Sequence, residues 1–167
     1  MTDQFHQQDG VEILIRPATA SDALLLARFR YAFRSSLSRT NESEDEFVQR
    51  CSRWMQQRLE PGGLWHCWIA ELQHAPAGHL WAQLIEKIPN PTDEPEVHAY
   101  ITNFYVQEAA RGKGIGSKLL VTALEWLQSQ NVDAVILWPT PASRSLYLRH
   151  GFAVRDDLLE KILAKRH

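Results

Sequence analysis

Apolar residues recur along this chain in two periods, and each change of period marks an element. Val11 to Arg16 alternates as a strand. Ala23, Leu24, Ala27 and Tyr31 then recur at helical spacing behind Ser21, a residue type suited to capping a helix. A polar break from Ser35 to Asn41 leads to a second predicted helix, capped near Ser43 and running to Leu59. It carries Phe47, Cys51, Trp54 and Met55 on one side, and Pro61-Gly62-Gly63 ends it. Leu64 to Leu72 and Gly78 to Glu86 have strand character and predict an antiparallel hairpin turning at His74 to Ala77. The proline-bearing stretch Pro89 to Pro95 precedes a β-type run from Val97 to Val106. An amphipathic helix follows with Ile115, Leu119, Ala123 and Leu127 on its apolar side, stopped at Asn131. Asp133 to Trp138 (DAVILW) predicts a short buried strand, and a last helix around Leu146-Tyr147 ends at Gly151-Phe152, with a final strand or hairpin expected beyond it. The order βααβββαβα does not alternate strand and helix throughout, so it departs from a plain doubly wound sheet.

Composition narrows the class without naming a chemistry. A chain of 167 residues, 44% hydrophobic and 23% charged, suits one soluble globular domain with a substantial core. Residues 1–10 are polar, unlike a secretory signal, and are expected to form a loose leader before a single domain over 11–167. A formal net charge of −2 gives no reason to expect a nucleic-acid partner, and no apolar run approaches membrane-spanning length. The expected compartment is cytoplasmic. Cys51 and Cys67 lack C-x-x-C spacing; idle free thiols are the ordinary interpretation, with their redox state left open. The histidines form no metal-ligand pattern, so no metal is expected.

The densest chemical signal is FYVQEAARGKGIGS, Phe104 to Ser117. Three of the eight glycines fall within five residues, where a strand gives way to a helix N-terminus. Backbone without side chains lets a bulky anion approach the unpaired N–H groups of the first turn, and the helix dipole favours negative charge there. Arg111 and Lys113 add positive charge, so Arg111-Gly112-Lys113-Gly114-Ile115-Gly116 has the makings of a phosphate cradle. The dinucleotide fingerprint needs glycine where Ser117 stands, and the P-loop needs Ser or Thr where Gly114 stands; both are disfavoured by spacing.

This R-x-x-G-x-G turn resembles the acyl-CoA pyrophosphate loop of the GNAT superfamily of N-acetyltransferases. About thirty residues on, Ser143 to Phe152 (SRSLYLRHGF) is similar to the superfamily's second signature, a helix carrying Leu-Tyr and ending at Gly-Phe. Ile13-Leu14-Ile15-Arg16-Pro17-Ala18 with Ser21-Asp22 resembles its opening strand and helix cap, so the likeness runs from about Val11 onward. It implies an α/β (α+β) acyl-CoA N-acyltransferase fold, a central, mostly antiparallel mixed sheet flanked by helices. It also implies acetyl-CoA as co-substrate and an amine acceptor of unspecified identity. Homodimers are common in that family.

The resemblance further implies roles for individual residues. The strand matching Asn103 to Val106 splays from its neighbour in the family, and its free backbone groups bind the acyl carbonyl and pantetheine amides. Phe104, Tyr105, Val106, Arg111, Gly112, Lys113, Gly114, Ile115, Gly116 and Ser117 are therefore the expected cofactor-binding set. Tyr147 is the expected general acid toward the leaving thiolate; an unperturbed tyrosine, with a pKa of about 10, holds its proton at neutral pH. A core tyrosine before a glycine turn is the plainer alternative. Some family members carry a Glu near the position of Tyr100, so that assignment does not transfer. His98, Asn103 and Glu71 are substitutes or water-positioners, deprotonation through ordered water is equally compatible, and no base is assigned.

Other features have everyday explanations. Trp65, Trp68 and Trp81 suit sheet-face packing better than a ligand pocket. Glu42, Glu44, Asp45 and Glu46 fit a solvated helix N-terminus as well as a lure for a cationic amine. Beside the enzyme stand two other interpretations, a non-catalytic acyl-CoA-binding or regulatory module of the same fold and, more distantly, a nucleotide-binding domain.

Overall fold

The computed structural model describes residues 12–163. The leader expected over 1–10 lies outside the described residues. Nine elements follow one another: β1 (Ile13–Pro17), α1 (Ala23–Ser35), α2 (Glu44–Arg58), β2 (Trp65–Leu72), β3 (Ala75–Glu86), β4 (Val97–Val106), α3 (Ile115–Ser129), β5 (Ala134–Ile136) and α4 (Arg144–Arg149). The sheet runs in the order β1-β2-β3-β4-β5, antiparallel except for the parallel β4–β5 pair. This is the mixed sheet flanked by helices that the resemblance implied.

Alternation along the strands divides the core in two. Trp68, Ala70, Leu80, Ala82, Ala99 and Ile101 face α3, where Ile115, Leu119, Leu120, Ala123 and Leu127 meet them. Cys67, Ile69 and Trp81 face α1 and α2, against Ala23, Leu26, Ala27, Val48 and Met55. The tryptophans are packing residues as expected: Trp68 lies edge-on to Trp126, while Trp65 lies edge-on to Trp54 and Trp81. Both cysteines are free, Cys67 buried and Cys51 half-buried. Burial pushes both thiols up, so neither is a ready nucleophile.

Several boundaries differ from the sequence expectation. Ser21 does not cap the first helix; Thr19 opens a short 3-10 turn, its N–H donating to the Asp22 carboxylate at 2.8 Å. Arg16 grips that carboxylate and Glu71 at once, tying β1 to β2 and to the helix entry. The buried face of α1 uses Leu26 and Phe29, and Leu24 is exposed. Ser43 does cap α2, in a reciprocal capping box with Glu46. The β2–β3 turn is tighter than predicted, because Gln73 and His74 both take left-handed backbone (φ 49° and 65°) and β3 begins at Ala75. The strand expected at Asp133 to Trp138 shrinks to three residues and is not buried: Ala134 and Ile136 are exposed because β5 is an edge with no strand beyond it among the described residues. Phe152 is followed by no assigned strand among the described residues.

Candidate functional site

The site starts from a defect in β4. Tyr105 pairs with His79 and Thr102 with Trp81, so Asn103 and Phe104 together oppose Leu80 in a bulge. Asn103 takes φ 48°, a left-handed value that asparagine tolerates better than most residues. On the other edge, β5 pairs only with His98, Ala99 and Tyr100. From Ile101 onward, that edge of β4 has no strand beside it among the described residues. Its amides and carbonyls form an open wall of the kind the resemblance anticipated.

Gly78 holds the bulge close to β3. A Cβ there would stand 2.6 Å from the Tyr105 carbonyl oxygen and 3.1 Å from Val106 Cα, so only glycine permits this approach.

Beyond Val106 the chain turns through Glu108–Ala110 into the glycine segment. Gly112 and Gly114 are left-handed, with φ 74° and 81°, and a Cβ at either would meet nothing within 4 Å. The glycines are required there by backbone conformation, and they leave the space above the turn clear. Gly114 caps α3, and the first helical bond is Lys118 N–H to Gly114 O at 3.1 Å. The backbone N–H groups of Gly112, Lys113, Gly114, Ile115, Gly116 and Ser117 find no acceptor among the described residues. With the positive end of the α3 dipole behind them, they form a nest of free donors whose chemistry suits an anion. Ile115 anchors the turn in the core at 1% exposure, while Lys113 is exposed. The Arg111 Nε–H donates to the Val106 carbonyl at 3.1 Å, tying the turn to the end of β4.

Tyr147 comes to the same place from α4. Its ring is buried beside Phe104, 6.2 Å between centroids, and edge-on to Phe152 at 5.5 Å. Burial pushes the phenol up to about 12, with the neighbouring Ser143 hydroxyl opposing the rise. It therefore keeps its proton across the neutral range. His150, just after α4, places Nε2 3.2 Å from Ser117 Oγ and so links the two signature segments. Phe104, Tyr147 and the glycine turn thus lie on the α3 side of the sheet beside the open edge of β4, whereas the Tyr105 ring packs on α1 and Ile115 is buried in the core.

The opposite face of the sheet at the bulge is aromatic and cationic. Phe29 and Phe33 on α1 pack on Tyr105, and Phe29 stacks on His79 with rings 5.7 Å apart. His79 is fully buried with neither ring nitrogen hydrogen-bonded among the described residues, and burial, with the Arg30 cation, pushes it down to about 3. It is neutral at any physiological pH. The Arg30 guanidinium donates to Asn103 Oδ1 at 3.1 Å.

The base candidates separate in space. His98 sits at the far end of β4, 3.8 Å from Asp133 and some seven residues from Tyr105, roughly 20 Å along a strand. Glu71, on β2, is committed to Arg16 on β1. Only Asn103 lies at the bulge, and it is not basic. Tyr100 stacks edge-on against Trp138. Within the acidic cluster, Glu42 pairs with Arg50 and Glu46 serves the α2 cap. Arg30, His79 and Gly78 carried no signal in the sequence, because nothing local marks a helix arginine or a strand glycine as facing a bulge formed some 25 to 75 residues later.

The Acetyltransferase (GNAT) family model matches residues 27–152. The fold is similar to a GCN5-related N-acetyltransferase from Ralstonia eutropha, at 25% identity and TM-score 0.74, covering 92% of this chain and 100% of that one. It is similar to a predicted acetyltransferase with acetyl-CoA from Clostridium acetobutylicum, at 25% identity and TM-score 0.73, covering 91% and 97%. Glucosamine-6-phosphate N-acetyltransferase from Arabidopsis thaliana shares the fold at 18% identity and TM-score 0.66, covering 92% and 99%. No curated protein sequence matches the chain.

Proposed function

Because the chain belongs to the GNAT acetyltransferase family, we propose that it moves an acetyl group from acetyl-CoA to a primary amine in one direct step. The observation that carries this is the run of unpartnered N–H groups from Gly112 to Ser117, opening beside the free edge of β4 and the buried hydroxyl of Tyr147. The nest suits the pyrophosphate, with Arg111 and Lys113 adding charge at its mouth. The open edge at Phe104, Tyr105 and Val106 suits the pantetheine amides, and its amides suit the oxygen of the thioester carbonyl as it gains charge.

In the step, the neutral amine attacks the thioester carbonyl carbon. A C–N bond forms, the C–S bond breaks, and the electron pair leaves on sulfur. Tyr147 gives its phenolic proton to the thiolate and is reprotonated from water, and the amine sheds its extra proton to water. A phenol held near 12 is a weak acid, but a thiolate is stable enough that a modest push suffices. Residues 11–167 act as one acetyltransferase domain in this account. None of the helices of the described residues is long and apolar enough to cross a membrane.

Incubating the protein with acetyl-CoA and a panel of primary amines, and following free CoA and acetylated product, tests the proposal. Tight acetyl-CoA binding with no product from any amine would favour a non-catalytic acyl-CoA-binding module, which the missing acidic residue at Tyr100 leaves open.

A further inference from the structure

Arg30 is a half-buried cation with no carboxylate in ion-pair reach among the described residues. Asp22 and Glu71 pair with Arg16, and Glu42 with Arg50. Its one hydrogen bond among the described residues goes to Asn103, a neutral acceptor on the bulge, which uses one of the five guanidinium donors. Arg34 lies one helical turn on and faces the same way closely enough to repel it, and it too has no acidic partner among the described residues. Like charges four apart weaken a helix, and burying an uncompensated cation costs more. Burial is the largest influence lowering the Arg30 pKa, with Arg34 adding to it. A protein tolerates such a pair where a ligand supplies the missing anion.

Position says which ligand. Phe104, Tyr147 and the glycine turn lie on the α3 side of the sheet, whereas Arg30 reaches the β4 bulge from the α1 side. With acetyl-CoA lying along the open edge of β4, as proposed above, the guanidinium would face the thioester from the side opposite the pyrophosphate nest, the side left for an acceptor. We propose that Arg30, supported by Arg34, receives the anionic group of the acceptor, so that the substrate is a small amine bearing a carboxylate or phosphate and not a polycation. This rests on the acetyltransferase reading above. Asn103, locked in left-handed backbone, is a positioning residue that fixes the guanidinium fork.

The test is calorimetric titration of the CoA complex, which needs no turnover, paired with product analysis using acetyl-CoA. The probes are amino acids against their amides, glucosamine 6-phosphate against glucosamine, and spermidine. The parent should bind one anionic amine at least about 10-fold better than its neutral counterpart, as expected for a charge-assisted contact. The amino-acid and sugar-phosphate arms distinguish carboxylate from phosphate. Arg30→Gln should bring that ratio near unity, Arg30→Lys should keep part of it, and acetyl-CoA affinity should be unchanged in both. Equal binding of charged and neutral amines, preference for spermidine, no binding of any probe, or a ratio unaltered in Arg30→Gln would each overturn the proposal. Arg30-dependent binding without acetylated product would leave the anion site standing and remove the transferase reading. Acetylation of neutral amines alone would do the reverse.

Discussion

Ser117 Oγ and His150 Nε2 meet at 3.2 Å, joining the first turn of α3 to the end of α4 across 33 residues of sequence. The contact couples the anion nest to the helix that carries Tyr147. Removing either side chain should cost about 1 kcal/mol, and the losses should be non-additive because each breaks the same bond. Urea unfolding of Ser117→Ala, His150→Ala and the double variant measures this; strictly additive losses would deny the coupling.

Gly114→Val should lower acetyl-CoA affinity more than Arg111→Ala does. The valine must adopt φ near 81° and intrudes on open space where phosphate would sit, whereas Arg111 acts at an exposed mouth where salt screens charge. Comparing dissociation constants of the two folded variants decides the order, and a greater loss in Arg111→Ala would reverse it.

Tyr147→Phe should reduce kcat by roughly 100-fold, the low end of general-acid effects, with acetyl-CoA affinity little changed. The ring contacts with Phe104 and Phe152 survive the substitution. The phenol's pKa is raised to about 12, so its protonated, donating form persists throughout the assay range. Parent activity should therefore rise with pH as the acceptor amine loses its proton, without an alkaline decline up to about pH 10. Pre-steady-state kinetics with chemistry rate-limiting gives the test, and an unchanged kcat would reduce Tyr147 to a core residue.

Gly78→Ala should damage both stability and the site. The added methyl meets the Tyr105 carbonyl oxygen at 2.6 Å, so β3 and β4 must part at the bulge, at a cost of about 1–3 kcal/mol. Weaker acetyl-CoA binding should accompany the loss in thermal unfolding. A variant as stable as its parent would show that the strands need not approach so closely.

His79 should make the fold acid-sensitive. Its folded pKa is about 3, below the unfolded value near 6.5, so between these values only the unfolded chain takes up the proton. Its contribution is complete above about pH 6.5 and falls by up to about 1.4 kcal/mol per pH unit as the pH drops toward 3. His79→Phe keeps a ring for Phe29 to stack on and should flatten this dependence. Half-buried His66 titrates in the same sense and leaves a residual slope. Denaturation midpoints at several pH values compare the two proteins.

Whatever depends on short-range pattern was determined by the sequence. The glycine turn at the start of α3, the Ser43 cap, the apolar face of α3, and the Gly151 stop after Tyr147 are set by residues within a few positions of one another; on α2 the expected face missed buried Val48 and included Trp54, which is exposed. Backbone conformation and helical period need no distant partner to declare themselves. Tertiary structure decided the rest. Asp133 to Trp138 has the composition of a buried strand, yet β5 lies at an edge and stays short, because burial depends on what packs against a strand. The turn at Gln73-His74 became left-handed without glycine because the pairing of β2 with β3 required it. The bulge at Asn103 exists only in the register between β3 and β4, and Gly78, His79 and Arg30 acquire their significance from facing it. A charge or a glycine has a role only relative to its surroundings, and those surroundings come from residues far away in the chain.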